Sequence, residues 1–306
     1  MVKAFKYRIY PKKSQQSILN RTLDECRWLY NHLLEQRKTE WEVHQNSLSC
    51  FEQQRTYTIL KTERPSLRDT HSQVLQNVAV RIDLAFQAFF RRVKNGEKPG
   101  YPRFRGKNRY DSVTYPQYGN GAKVNPDGSL QLSKIGCVKM SYHRLIEGTP
   151  KSITLRCSAT GKWYATIACE IEPEILPQNP NEIGIDVGLN HFAVLSNGEK
   201  IDNPRFFRVE EKELAKVQRK LSKSAGLSLS KSKERLREHF KKIVARVHER
   251  IAFKRHNFTH QQSRKIVDSF GLIAVEDIHV NQMVHNHCLA KSIHDAAWSG
   301  FFSALS

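Results

Sequence analysis

The feature that most constrains this chain is residues 183–198, Ile-Gly-Ile-Asp-Val-Gly-Leu-Asn-His-Phe-Ala-Val-Leu-Ser-Asn-Gly. A β-branched run, a glycine-containing turn and a second apolar run closing on Asn-Gly predict a strand hairpin. Asp186 is the only charge in its strand. If the strand is buried, the acid needs a partner, because desolvating an unpaired carboxylate costs several kcal/mol or more. A divalent cation with oxygen ligands is one such partner. Residues 271–278, Gly-Leu-Ile-Ala-Val-Glu-Asp-Ile, predict a second buried-type strand ending in carboxylates. Acids on neighbouring strands can share metal ions, as in phosphodiester cleavage by two ions about 4 Å apart.

The charge balance narrows the partner. Fifty Lys and Arg face 30 Asp and Glu, a net charge of +20, and an excess of that size points to a polyanion. The cysteines (Cys26, Cys50, Cys137, Cys157, Cys169 and Cys288) include no CxxC pair, so these residues contain no zinc ribbon. They read as reduced thiols of a cytosolic protein. No apolar run approaches the ~20 residues of a membrane span, and the N-terminus lacks the apolar core of a signal peptide; the expectation is a cytoplasmic protein without a membrane partner.

Residues 2–10 alternate with the period of a half-buried strand, and Pro11 stops it. Helical spacing then places Ile18, Leu19, Leu23, Cys26, Leu29, Tyr30 and Leu33 on one face, with Ser14 as N-cap. Further helices are expected over 48–61 and 72–94. Their cations, among them Arg37, Arg81, Arg91 and Arg92, read as a solvated face. In the Gly/Pro loop that follows, Tyr101, Arg103, Phe104, Arg105, Lys107 and Arg109 alternate cations with aromatics. That mixture suits nucleic acid: cations meet phosphates, and rings offer stacking surfaces to bases.

Residues 112–171 read as short strands and tight turns, an antiparallel barrel whose first strand is 2–10. Pro173, Pro177 and Pro180 mark a linker. Helices over 208–221 and 233–264, separated by a Ser-rich stretch, form a pair able to show a basic face to a duplex. A loop rich in His and Asn follows the Glu276 strand; His285, His287 and Cys288 match no usual zinc spacing and read as loop polarity. A last helix, from about Ser292, carries Trp298, Phe301, Phe302 and Leu305 as an apolar stripe with no covering element.

Six stretches occur in a recognisable order: 4–11, 28–31, 100–105, 184–188, 275–278 and 292–298. Together they resemble the TnpB (OrfB) proteins of bacterial insertion sequences, over essentially the whole chain. The resemblance implies an α/β multidomain fold: an oligonucleotide-binding-type β-barrel interrupted by a helical lobe, followed by an incomplete RuvC/RNase H-like domain. The implied bounds are 1–11 and 111–178 for the wedge-like barrel, 12–110 for the inserted recognition lobe, and 179–306 for the nuclease domain, truncated before the zinc ribbon. It further implies Mg²⁺-dependent cleavage, kinship with type V CRISPR effectors, a guide RNA from the transposon end, and a double-stranded DNA target with a short adjacent motif. The setting implied is the bacterial cytoplasm, at the nucleoid when DNA is bound.

On this resemblance Asp186 matches the first metal-binding acid and Glu276 the second. The zinc ribbon and third catalytic Asp of the family have no match in these 306 residues. Asp277 is expected to point away from Glu276, and Asp295 to stabilise the first turn of its own helix. The function implied is RNA-guided DNA binding with cleavage impaired. The alternatives are a catalytically inactive binder or repressor, and a non-functional fragment of a disrupted element.

Overall fold

The structure is a computed structural model describing residues 1–107, 109–173, 179–225 and 231–305. Residues 174–178 of the expected Pro-rich linker, with Pro177, and 226–230 of the Ser-rich stretch lie outside the described residues. The chain forms two compact units, Met1–Pro173 and Glu174–Ser306.

The first unit runs β1 (Val2–Tyr10), α1 (Lys13–His44), α2 (Cys50–Arg55), α3 (Tyr57–Glu63), a 3-10 turn (Pro65–Asp69), α4 (Ser72–Lys94), β2 (Ser112–Tyr115), β3 (Ala122–Val124), β4 (Leu130–Leu132), β5 (Gly136–Met140), β6 (Thr149–Cys157) and β7 (Trp163–Glu170). The alternation of β1 turns Phe5, Tyr7 and Ile9 inward. The strand pairs antiparallel with β7 along most of its length and with β5 at its end. The seven strands follow the order β2-β6-β7-β1-β5-β4-β3, a nearly closed barrel with β2 and β3 as edges. Gly148 makes the entry to β6 possible: it holds φ +73, and a Cβ there would lie 2.2 Å from the Glu170 carbonyl oxygen.

Apolar stripes of α1 (Leu19, Leu29, Leu33) and α4 (Val74, Val78, Ile82) join the inner face of the sheet in one core. Ser14 is not the cap of α1. It lies inside the first turn, where the longer Gln15 side chain reaches back to accept the Lys12 N–H at 2.9 Å. The helix expected over 48–61 is two, parted at Thr56, the first opened by a capping box between Ser49 and Glu52. Arg37 and Arg81 are not surface cations. Arg37 is buried and donates to Gln53 and Asp83, while Arg81 donates to the Ser112 carbonyl at 2.7 Å and to the Thr114 hydroxyl.

The second unit contains β8 (Glu182–Val187), β9 (His191–Leu195), β10 (Lys200–Asp202), α5 (Phe206–Ala225), α6 (Lys231–Ser269), β11 (Leu272–Val275), α7 (Val280–Met283), α8 (Ala290–Ala296) and α9 (Trp298–Leu305). Its sheet has the order β10-β9-β8-β11: three antiparallel strands, then β11 parallel to β8. Gly271 opens β11 and donates to the Asn181 carbonyl, and a Cβ there would lie 1.9 Å from the Asn179 carbonyl oxygen.

The expected last helix is also two. Ala297 adopts a left-handed conformation, φ +59, ending α8 and redirecting α9. That turn carries Trp298 and Phe301 into the core beside Phe192 and Phe258, where the Trp298 indole donates to the Phe192 carbonyl at 3.3 Å. The apolar stripe is therefore covered at its centre, contrary to the sequence expectation, with Phe302 and Leu305 half-buried.

Candidate functional site

On β8 the alternation puts Ile183 and Ile185 in the core and Gly184 and Asp186 on the opposite face. Ile185 is in register with Val275 of the parallel β11, so Glu276, one residue past that strand, comes alongside Asp186. Gly184, Asp186, Ser196, Ala274 and Glu276 line one open cleft of about 440 Å³. The Ser196 hydroxyl accepts the Gly184 N–H at 3.1 Å and holds the floor together. Asp277 does not line the cleft.

Two expectations are corrected. Asp186 is exposed rather than buried. β11 is an edge strand, with Leu272 57% and Val275 45% exposed, rather than a buried one. Among the described residues neither Asp186 nor Glu276 has a hydrogen-bond or ion-pair partner. Two solvated carboxylates without a protein cation are hard oxygen donors of the kind that hold Mg²⁺ together with water and phosphate. Among the described residues no three His, Cys, Asp or Glu side chains are grouped to hold a metal ion. His285, His287 and Cys288 are exposed, in a loop interrupted by α7.

Two other acids of this unit, Asp295 and Glu210, are occupied. Asp295 does not serve its own helix; it lies near the end of α8 and is buried. It accepts the Phe207 N–H at 2.8 Å and the Arg208 N–H at 3.3 Å, capping the start of α5, and takes the Arg255 guanidinium of α6 at 2.7 Å. An exposed helix start is electropositive and carries unpaired N–H groups, so a carboxylate there is doubly favoured. Glu210 of α5 binds Arg250 at 2.8 Å and Lys254 at 3.0 Å of α6, and the hydrogen bond from Lys254 holds its carboxyl below the usual range. Arg250 and Lys254 thus tie α6 to α5, and Arg255 ties it to Asp295 of α8. Sequence spacing gave no sign of the Asp295 contacts, whose partners are 40 to 88 residues away.

In the first unit the basic and aromatic loop is pinned at two points. The Asn31 side chain accepts the Arg105 N–H at 2.7 Å and donates to the Arg105 carbonyl at 3.0 Å, and the Arg105 guanidinium lies over the Tyr30 ring. Tyr101 packs edge-on against Phe86 and Phe89. Phe104 is half-exposed. Arg103, Lys107 and Arg109 are exposed and have no ion-pair partner among the described residues.

Fold and site define a two-unit α/β protein with a nearly closed β-barrel sheet, a cationic loop and a two-carboxylate cleft. The profile of a family described as "Probable transposase" matches residues 166–287, and one described as "Helix-turn-helix domain" matches 1–46; here that segment is a strand and one unbroken helix, β1 and α1. A protein of Streptomyces pristinaespiralis named "Putative RNA-guided DNA endonuclease" is 33% identical over 308 residues, covering 99% of this chain and 73% of its own. A second, from Escherichia coli (strain K12), named "Putative RNA-guided DNA endonuclease InsQ", is 28% identical over 92% of this chain and 67% of its own. The protein of a Cas12f1–sgRNA–target DNA complex superposes with a TM-score of 0.36 at 12% identity, over 100% of this chain and 83% of that one, too loosely to bear on the fold. The chain belongs to the TnpB (OrfB) family of insertion-sequence proteins.

Proposed function

We propose that this chain is an RNA-guided DNA-binding protein whose residues 179–306 carry a RuvC-like, Mg²⁺-dependent DNA-cleaving site built on Asp186 and Glu276. One observation carries the reading: two carboxylates from adjacent parallel strands line one cleft, and neither is neutralised by a protein cation. The names of its relatives supply the reaction class. A bound Mg²⁺ would polarise a phosphodiester and lower the pKa of its water. Asp186 and Glu276 would hold and orient it, and the open cleft would admit a nucleic-acid backbone.

Residues 1–11 and 111–178 form the wedge-like barrel on this reading, and 12–110 the inserted recognition lobe. Arg103, Arg105, Lys107 and Arg109 contact phosphates, and Tyr101 and Phe104 flank them. The guide derives from the transposon end and the target carries a short adjacent motif. With two acids rather than three grouped at the cleft among the described residues, binding of guide and target outpaces cleavage. A guided binder acting by occupancy is the second reading, favoured by the absence of a third acid grouped with these two among the described residues.

The test is to co-express the chain with the flanking DNA of its gene, sequence any bound RNA, and add Mg²⁺ and a matching duplex. A discrete RNA with slow cutting that Asp186→Ala abolishes is the expected result. Retarded but uncut DNA would leave the occupancy reading. Cutting that survives both Asp186→Ala and Glu276→Gln would sink the assignment of the site.

A further inference from the structure

The C-terminal halves of α1 and α4, the connection 46–49 and the start of the cationic loop enclose a cleft of about 490 Å³, within the range of small-molecule sites. Its walls are Trp41, Phe86, Phe89, Phe90 and Tyr101. Three of these rings brace one another: Tyr101 meets Phe86 and Phe89 edge-on at 5.6 and 5.5 Å, which fixes the back wall. The rings at the mouth are in water. Trp41 is 54% exposed and Phe90 59%, a cost that a folded core would have removed by packing them.

The floor is polar and already ordered. Arg37 donates to Asp83 at 3.1 Å and lies 5.2 Å over the Phe86 ring, and Gln87 donates to the other Asp83 oxygen at 2.7 Å. Arg91, Arg92 and Lys94, which follow Phe90 on α4, and Arg103, two residues past Tyr101, are exposed and have no ion-pair partner among the described residues. A helix from another protein would gain from the rings but not from so many unpaired cations. A polyanion alone would use the cations and leave the rings in water. A nucleotide uses both, with its base against the rings and its phosphates on the cations.

We infer that this cleft is a subsite for one unpaired nucleobase of a single-stranded segment, with Trp41 and Phe90 as the stacking groups. The inference rests on the nucleic-acid reading above and adds a place where a base, rather than a backbone, is held.

The test uses the full chain and the fluorescence anisotropy of two probes of equal length, a short oligodeoxythymidine and the same phosphate chain carrying abasic residues. The base-bearing probe should bind about tenfold more tightly. Trp41→Ala and Phe90→Ala should each erase most of that difference and leave affinity for the abasic probe unchanged. Both side chains are more than half exposed, so an unchanged melt accompanies a valid result, and Phe51→Ala, 75% exposed and not part of the cleft, is the control that should change nothing. Tight and equal binding of both probes overturns the subsite and spares the nucleic-acid reading; so does discrimination that persists in both variants. A concentration-dependent dimer that Trp41→Ala disperses would make the cleft a protein interface and overturn the subsite. Binding of neither probe overturns the subsite and leaves the guided reading to its own test with the co-expressed RNA.

Discussion

The two units distribute charge in opposite ways. In residues 1–173, 29 Lys and Arg face 15 Asp and Glu, and the loop cations Arg103, Lys107 and Arg109 have no ion-pair partner among the described residues; in 174–306 the balance is 21 against 15. There the cations Arg250, Lys254 and Arg255 are consumed by Glu210 and Asp295, and the unpaired charges at the cleft are the acids Asp186 and Glu276. On the proposed reading the cations of the first unit meet an anion and the acids at the cleft of the second hold a cation.

The largest expected effect tests whether the units are separately stabilised. Trp298→Ala removes a fully buried ring from the second core and should cost that unit about 3–5 kcal/mol. Denaturation followed by a probe in each unit should show one transition shifting and the other holding; equal shifts would dissolve the comparison. Asp295→Ala should cost about 3 kcal/mol in the same transition, because it leaves Arg255 unpaired and the start of α5 uncapped.

Acid should separate the units more gently. His32 and His71, in the first unit, each keep a ring nitrogen without a hydrogen bond, and burial holds both below the ordinary 6.5. Folding therefore excludes their protons: their contribution is present above pH 6.5 and is lost as pH falls below it. Glu210, held down by Lys254, contributes above its ordinary 4.5 and loses that contribution only at lower pH. In a pH series of melts the first unit should weaken before the second; the reverse order would contradict this assignment. The smallest effect on stability, within about 0.5 kcal/mol, is expected for Arg103→Ala, Lys107→Ala and Arg109→Ala combined. Each cation removed should nonetheless lower the salt slope of nucleic-acid binding by about one.

Much of this was legible in the residues. The two-residue period of 2–10, the hairpin around Asp186 and the helix over 72–94 appear at the expected places because their apolar patterns are local. Pairing across the chain was less legible. A strand pattern reports that one face is buried, not whether the other is covered, so Asp186 was expected inside and stands outside. Helix cations look alike in a sequence: Arg37 and Arg255 turned inward because acids distant in the chain arrived beside them. The break at Ala297 carried no glycine to announce it.

The parallel pairing of β8 with β11 also has a meaning in time. Asp186 belongs to a hairpin closed within a few residues, whereas Glu276 comes only after the α5–α6 excursion. At bacterial rates of synthesis the interval between the two acids is roughly 5–18 s. Throughout it a nascent chain carries one carboxylate of the pair and nothing opposite. The cleft thus cannot exist until Glu276 has been synthesised, long after its first wall has closed.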